Sequence, residues 1–487
     1  MMSTRIRAAG VLALVAVVAL VWLDVRVITG ERNTRDGAQY ERLAVELARS
    51  GSFASGGGLT REVEPLHVAM LALQIRVDPR LAEVRASGRV AAGAESRAVK
   101  QQNLLWVGLT LAGVAAQVLL LHRGRGRVVL AGAAMVAVTV LLLENADVVD
   151  RSLAELPAAA LVVWSGVLAT RLVRAPSAGR AALLGVAIAG LALTRAVFLW
   201  VALPYALLIA GGIWLGERAS LGPAGAARRT GMLLLAGMLA FGVVVGPWAV
   251  RNAVAFGDPG IAERGGSILH VRATKNTMDG YQHRGAWVYW APLPLQPPLA
   301  RVLGVDLADF GSGRPLVVHA RYDDEIRDES FYRIAKQEID DRADRLVLEG
   351  VERREADRIA EEEYGSLAAA RLRSDPGAFL RTTPVFLWRF SWPMNLSLTV
   401  PRPLLAVVNL AGMVALLSAA VLAVVRRRTV LFAVAGLPAG ATAFYVLVTH
   451  ALPRYARPLA PTMIVLLVVA AAVLVERVAR RRPGSAT

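Results

Sequence analysis

The sequence predicts an all-α polytopic membrane protein: about ten transmembrane helices, with amphipathic helices and a larger segment on one face of the bilayer. Three observations predict it. Hydrophobic residues make up 55% of the 487 residues, and the mean hydropathy is +0.48, too apolar for a soluble chain of this length. Uncharged runs recur at roughly 17–25 residues, enough for a helix to cross the ~30 Å hydrocarbon layer. Arginines cluster between those runs in an alternating pattern. A net charge of +17 would by itself point to nucleic acid, but its distribution does not. With no cysteine in the chain, disulfides, thiol catalysis and thiolate metal sites are excluded.

The first run, 8–29, follows Arg5 and Arg7 and resembles a signal peptide. No small-x-small cleavage site follows, so it reads as a retained span. Further spans are expected at 103–121, 127–144, 153–170, 181–194, 197–215, 230–250, 403–425, 429–449 and 458–475. The run from Ala181 to Gly216 is interrupted only by Arg195. As one helix it would be ~54 Å long, too long for one crossing even when tilted. Two short helices that turn near Arg195 fit better, and nine spans is the alternative. The connecting segments on one side hold Arg5, Arg7, Arg123, Arg125, Arg127, Arg171, Arg174, Arg180, Arg218, Arg228, Arg229, Arg426, Arg427, Arg428, Arg477, Arg480, Arg481 and Arg482, against Glu217 and Glu476. They carry nearly all of the net charge, which places them, and both termini, in the cytoplasm.

The long loops then fall outside, at about 24–102, 145–152, 251–402 and 450–457. This divides the chain into an N-terminal membrane module (1–250), an extracytoplasmic, mostly helical segment (251–402) and a C-terminal membrane module (403–487). Between 323 and 373, apolar residues recur at helical spacing among dense charges. This reads as two or three amphipathic helices, lying on the membrane or packed over the spans.

The outer loops carry the candidate chemistry. "DGAQYERLA" (36–44) opens a helix with Tyr40, Leu43, Ala44 and Leu47 on one face. Asp36 with Gln39 three residues on resembles a capping box, and Asp36 is also a candidate general base. "ENADVVDRSLAE" (144–155) sets Glu144, Asp147, Asp150 and Glu155 around one short turn. Asp147 and Glu155 either pair with Arg151 or form a second acidic group of the site, because a charge near a span needs a partner. A metal reading of this cluster is weak. Three arginines stand at outer span ends: Arg195, Arg251 and Arg454. Each alone could snorkel to headgroups. Three together, with Asn252 beside Arg251, form a candidate phosphate grip, since guanidinium binds phosphate in a forked geometry.

The order of these features resembles the GT-C glycosyltransferases, in particular the dolichyl-phosphate-mannose protein mannosyltransferase and aminoarabinose transferase group (glycosyltransferase family 39-like). The motifs are D-x-x-x-Y-x-x-x-A at Asp36, Tyr40 and Ala44, followed by "GSF"; Glu155 at the start of the fourth span; "GLALTR" ending at Arg195; "PWAVRN" at Pro247, Trp248, Arg251 and Asn252; "SDPGAFLRTTPVFLWRFSWP"; and "RYARPLAP". One departure stands out: where the family usually has Pro-Pro-Leu, this chain has Glu64-Pro65-Leu66. The resemblance implies a polyprenyl-phosphate sugar donor, a glycan, lipid or protein acceptor, and no cofactor, with a divalent metal left open. It also implies inverting transfer on the extracytoplasmic face. Asp36 would act as base, and Arg251, Arg195, Arg454 and Asn252 would hold the donor phosphate.

A lipid or glycolipid transporter or flippase is the alternative, although transporters more often show internal repeats and helices broken at the midplane. The charge pattern makes a topological prediction. Single cysteines at Ser52 or Ser330 should react with an impermeant maleimide in intact cells, and cysteines at Gly124 or Ser177 should not. The opposite labelling would invert the map.

Overall fold

A computed structural model describes residues 2–28, 35–55, 58–81, 94–124, 126–262, 265–310, 322, 330–392 and 403–481. The chain forms two compact units. The first comprises Met1–Ala262, Ala411–Ala441 and Arg457–Thr487, and the second Glu263–Leu410 and Thr442–Ala456.

In chain order, the first unit opens with α1 (Met2–Arg26), α2 (Arg35–Ser50), a small antiparallel hairpin of β1 (Ala54–Ser55) and β2 (Gly58–Leu59), and α3 (Pro65–Val77). Then come α4 (Ala94–Leu121), α5 (Arg127–Glu144), α6 (Ala146–Val149), α7 (Glu155–Arg174), α8 (Ala178–Ala192) and α9 (Val197–Phe256). The second unit holds α10 (Gly265–Lys275), α11 (Gly280–Tyr289), α12 (Gln296–Leu303), α13 (Phe331–Leu348), α14 (Arg353–Ser374) and α15 (Pro376–Phe390). Helices α16 (Pro403–Val425) and α17 (Thr429–Val448) each contribute to both units, and α18 (Ala460–Arg481) returns to the first.

Eight helices among the described residues are long and apolar enough to cross a membrane, and the chain is a multi-pass membrane protein. The expected turn near Arg195 is present, between α8 and α9. The count of eight rather than ten has two causes. Helix α8 has 15 residues, ~22 Å at 1.5 Å per residue, short of the hydrocarbon layer. Helix α9 runs 60 residues as one assignment, ~90 Å if straight. It is not straight. Gly222 sits at φ 70°, ψ 164°, a left-handed backbone that L side chains rarely adopt, and Pro223 starts the next helix without a lost donor. The helix doubles back here, and the Glu217 carboxylate meets Arg229 at 3.0 Å across the bend. The segment expected as a loop between two spans is therefore mostly helical.

Helix α4 packs against α1, α5, α7 and α18, while α8 packs against α7 and α9. The α8–α9 contact is close because both sides are bare backbone. A Cβ built on Gly185 would lie 2.2 Å from the Gly237 carbonyl oxygen. Small residues that let membrane helices approach this closely gain dispersion contact in place of a hydrophobic driving force.

In the second unit, α13 and α14 pair through Ile339, Ala343, Leu346, Ala356 and Ala360 and pack on α10. Their outer faces carry Arg342–Glu363 at 2.7 Å and Arg358–Glu362 at 2.6 Å. The expected amphipathic helices thus bury their apolar stripes against each other. Exposed pairs of this kind add little stability.

Gly185→Val should lower the melting temperature of the detergent-solubilised protein, by overpacking worth about 1–3 kcal/mol. Gly242→Ala, which meets nothing within 4 Å, should leave it unchanged or raise it. Equal melting temperatures for the two variants would show that the α8–α9 contact does not limit stability.

Candidate active site

The amphipathic helix α2 lays Leu43, Ala44 and Val45 into a core shared with Phe53, Val63 and the α3 residues Val68, Leu71, Ala72 and Ile75. Glu41 anchors it on another side. Its carboxylate accepts from Lys100 Nζ at 2.7 Å and from the Ser152 hydroxyl, and Lys100 Nζ also donates to Ser152 Oγ at 3.0 Å. All three residues are buried. Asn103, one turn along α4, donates to the carbonyls of Val149 (2.7 Å) and Arg151 (3.0 Å). Helix α2, the start of α4 and the 145–152 segment are thereby locked together.

This lock places Tyr40 at the centre of a charged group. Desolvation raises its hydroxyl pKa, and the carboxylates of Glu64, Glu155 and Asp36 add to that against the opposing charge of Arg195. The Tyr40 ring meets His67 edge-on at 5.1 Å between centroids. Asp36 lies in the first turn of α2, which begins at Arg35. This corrects the expectation that Asp36 caps the helix: it sits inside the turn. Gln39, the other half of the expected capping box, directs its amide nitrogen to Glu62. The carboxylate therefore serves the N-terminal end of the helix through charge.

Glu155 opens α7 and is 3% exposed, and Arg195 Nη2 reaches it at 2.8 Å. Its partner comes from a distant span end, while the sequence offered the nearby Arg151. The side chain of Asp147 lies outside the described residues. Glu64 ties the same region from another direction. Its Oε1 accepts from the backbone N–H of Ala196 at 3.0 Å, and Leu66 N–H donates to the Leu193 carbonyl at 3.0 Å. Glu64, the residue that departs from Pro-Pro-Leu, thus caps the start of α9 immediately after Arg195. A carboxylate suits this place, because the start of a helix carries unsatisfied N–H groups and partial positive charge.

The "PWAVRN" segment ends α9. Arg251 donates from Nη1 to the Thr60 carbonyl (2.9 Å) and to Asn252 Oδ1 (2.8 Å), and from Nη2 to the Phe53 carbonyl (2.9 Å). Its guanidinium stacks 4.6 Å from the Trp248 ring centroid and 5.1 Å from that of Phe256. Asn252 is fully buried and donates to the Gly260 carbonyl at 2.6 Å. Asp258 takes Arg61 at 2.6 Å. The N–H of Gly260 and the Arg61 guanidinium hold its carboxyl below the usual range. Arg251 and Arg61 therefore clasp both ends of the β1–β2 hairpin region to the end of α9. Leu193, two residues before Arg195, shares an apolar cluster with Trp248, three residues before Arg251. The two arginine-bearing ends of α9 are thus neighbours. Arg454 falls in the second unit, where it lies 5.7 Å from the Tyr455 ring centroid.

No protein-family model matches this chain, and no curated protein matches it. Among solved structures it is similar to the oligosaccharyltransferase AglB of the archaeon Archaeoglobus fulgidus, determined with an inhibitory peptide and a dolichol-phosphate. The TM-score is 0.50 at 14% identity, covering 99% of this chain and 53% of that one. This chain therefore spans about half the length of that relative. This is the GT-C fold. A weaker likeness, with a TM-score of 0.34 at 16% identity, is to ArnT from Cupriavidus metallidurans bound to undecaprenyl phosphate, covering 98% of this chain and 81% of that one.

Within this GT-C fold, the first unit brings together Asp36, Tyr40, Glu64, Glu155 and Arg195. Arg251 and Asn252 shape the adjoining hairpin. Sequence reasoning did not assign Glu41, Lys100, Ser152 or Arg61. Lys100 carries a readable signal: a charge three residues before an apolar run, which needs a partner. Nothing local in the sequence marks Glu41 or Ser152 as that partner.

The buried lock is testable. Glu41→Ala should cost about 3–5 kcal/mol, because it strips the buried ammonium of its carboxylate. The double variant Glu41→Leu/Lys100→Met should recover most of the loss in thermal melts. Equal melting temperatures for wild type and Glu41→Ala would show the network to be dispensable.

Proposed function

We propose that the protein is a membrane glycosyltransferase that moves a sugar from a polyprenyl-phosphate donor to a hydroxyl acceptor on the extracytoplasmic face, with inversion at the anomeric carbon. The observation that carries this reading is the convergence of Asp36, Glu155 and Arg195 about Tyr40, at one end of four helices. Carboxylates and a fixed cation gathered around one tyrosine near span ends suit a donor whose chain lies in the bilayer and whose phosphate lies at its surface. The dolichol-phosphate in the AglB structure supports the same class of lipid.

In this reading Asp36 takes the proton from the acceptor hydroxyl as that oxygen attacks the anomeric carbon. Negative charge grows on the departing lipid phosphate, and a preorganised cation facing it lowers the barrier. Arg195 is the leading phosphate contact, since Glu155 fixes its direction and Glu64 fixes the turn behind it. Arg251 and Asn252 complete the proposed phosphate-binding set within the first unit. Arg251 and Asn252 also hold the hairpin, because their polar atoms serve the carbonyls of Phe53, Thr60 and Gly260. Glu155 is the second acidic residue of this reading, and no cofactor is called for.

The test is release of polyprenyl phosphate from a radiolabelled polyprenyl-phosphate sugar by the purified protein. Asp36→Asn should abolish transfer while leaving folding and donor binding intact, because Asn keeps the shape of the side chain and the lost first-turn charge is worth only about 0.3–1 kcal/mol. Arg195→Ala should lower kcat by ~100- to 1,000-fold, the usual loss when a contact to developing negative charge is removed. Near wild-type turnover of Asp36→Asn would remove the general-base role. Binding of the donor without any transfer by the wild-type protein would favour a flippase.

A further inference from the structure

The arginine-rich end of the first unit carries charge that the chain does not balance. Arg123 follows the end of α4 and Arg174 ends α7, so both stand where membrane-crossing helices leave the hydrocarbon layer. Arg174 donates from Nη2 to the Leu120 carbonyl in the last turn of α4. This brings it close enough to Arg123 for the two cations to repel each other. Arg180, in the first turn of α8, donates from Nη1 to the carbonyl of Ala175, the residue after Arg174. Arg229 donates from Nη2 to the next carbonyl, that of Pro176, at 3.2 Å. Guanidinium groups from the ends of α4 and α7, the start of α8 and the second arm of α9 thus meet at one corner, at the far end of α7 from Glu155.

Counter-charge is scarce there. The segments expected on this face hold two side-chain carboxylates, Glu217 and Glu476. Arg229 takes Glu217 at 3.0 Å, and Glu476 faces His122 at 3.3 Å. Among the described residues, no carboxylate pairs with Arg123, Arg174 or Arg180. The helix-end carbonyls orient the guanidinium groups but supply only partial negative charge. Orientation in the membrane does not require this crowding, since cations spread along the same loops serve it equally. All three arginines are exposed. The missing charge is therefore within reach of an external anion, and forked guanidinium groups match phosphate oxygens. The neighbouring surface selects the kind of phosphate. Leu183 and Val186, one and two turns along α8 from Arg180, and Val129 at the start of α5 are exposed apolar side chains. Cations at span ends beside bare aliphatic flanks fit a molecule with a phosphate head and hydrocarbon chains.

We infer that the Arg123–Arg174–Arg180 corner binds the phosphate of an anionic phospholipid from the leaflet on that side. Basic pockets between membrane helices hold acidic headgroups in this way. The bound lipid offsets the repulsion between Arg123 and Arg174 and ties the ends of α4, α7 and α8 together. Its role is structural, and it is independent of the reaction proposed above.

The experiment uses the full chain in detergent, stripped of bound lipid, with phosphatidylglycerol, phosphatidylcholine and inorganic phosphate as probes. Phosphatidylglycerol should raise the melting temperature and stay bound in native mass spectra, and phosphatidylcholine should do neither. Arg123→Gln removes no side-chain hydrogen bond among the described residues, so the variant should fold. It should weaken phosphatidylglycerol binding by about tenfold, or 1.4 kcal/mol, and melt no lower than wild type when lipid is absent. Arg218→Gln, at an exposed arginine expected on the same face that stacks 5.5 Å from the Trp214 ring centroid, should leave that binding unchanged. An equal loss in Arg218→Gln would overturn the inference, leaving only general surface charge. Equal stabilisation by phosphatidylcholine would also overturn it. So would equal stabilisation by inorganic phosphate at the same concentration, which would make the corner a free-anion site.

Discussion

The Glu155–Arg195 pair is the interaction on which the candidate site depends. A carboxylate that is almost wholly buried among apolar helices cannot stay ionised without a nearby cation and hydrogen bonds. Meeting that demand draws the start of α7 and the α8–α9 turn to one point. The turn is then held from behind by Glu64 and, through Leu193, by the cluster around Trp248. Removing one member of such a pair costs far more than an exposed pair contributes, because the remaining charge is stranded. The site is consequently stiff where charge matters. Solvent-exposed ion pairs are carried by α13 and α14.

A second constraint acts at right angles to the first. Helix α2 has little apolar surface of its own and takes its place from the α3 core on one side and the Glu41–Lys100–Ser152 lock on the other. Asp36 and Tyr40 are therefore presented by an element whose position is set by two buried interactions, and Tyr40 itself packs against the α3 core. Such anchoring is what preorganisation requires: the groups aimed at a reacting molecule are fixed beforehand, so ordering them costs nothing when it binds.

Much of this was legible in the sequence. Hydropathy and arginine spacing indicate the membrane class, and the length of the run around Arg195 favours the turn that is found there over the nine-span alternative. The short motifs marked Asp36, Glu155, Arg195 and Arg251 as residues near the site. Pairings were not legible, because a partner is chosen by three-dimensional proximity. Arg151 is the nearest cation to Glu155 along the chain, whereas the fold brings Arg195 to it. Asp36 looked like a cap because cap and first-turn positions differ by one or two residues, below what residue type alone resolves. The bend at Gly222 was read as a loop for a related reason. Charged residues outside a span look the same whether the backbone beneath them is coiled or helical.

The doubling back of α9 at Gly222 bears on how this chain can vary. Arg195 and Arg251 lie at the two ends of a single helical segment, and they become neighbours only because its arms are matched in length and phase. Each residue added to an arm would advance the helix by 1.5 Å and turn it by ~100°. One insertion would carry an arginine to another side of the bundle and misalign the glycine contact with α8. Substitutions along the arms leave that phase untouched. Length changes in related chains should therefore be confined to the stretch around the bend, between Glu217 and Arg229, where an extra residue loosens a turn without rotating either end.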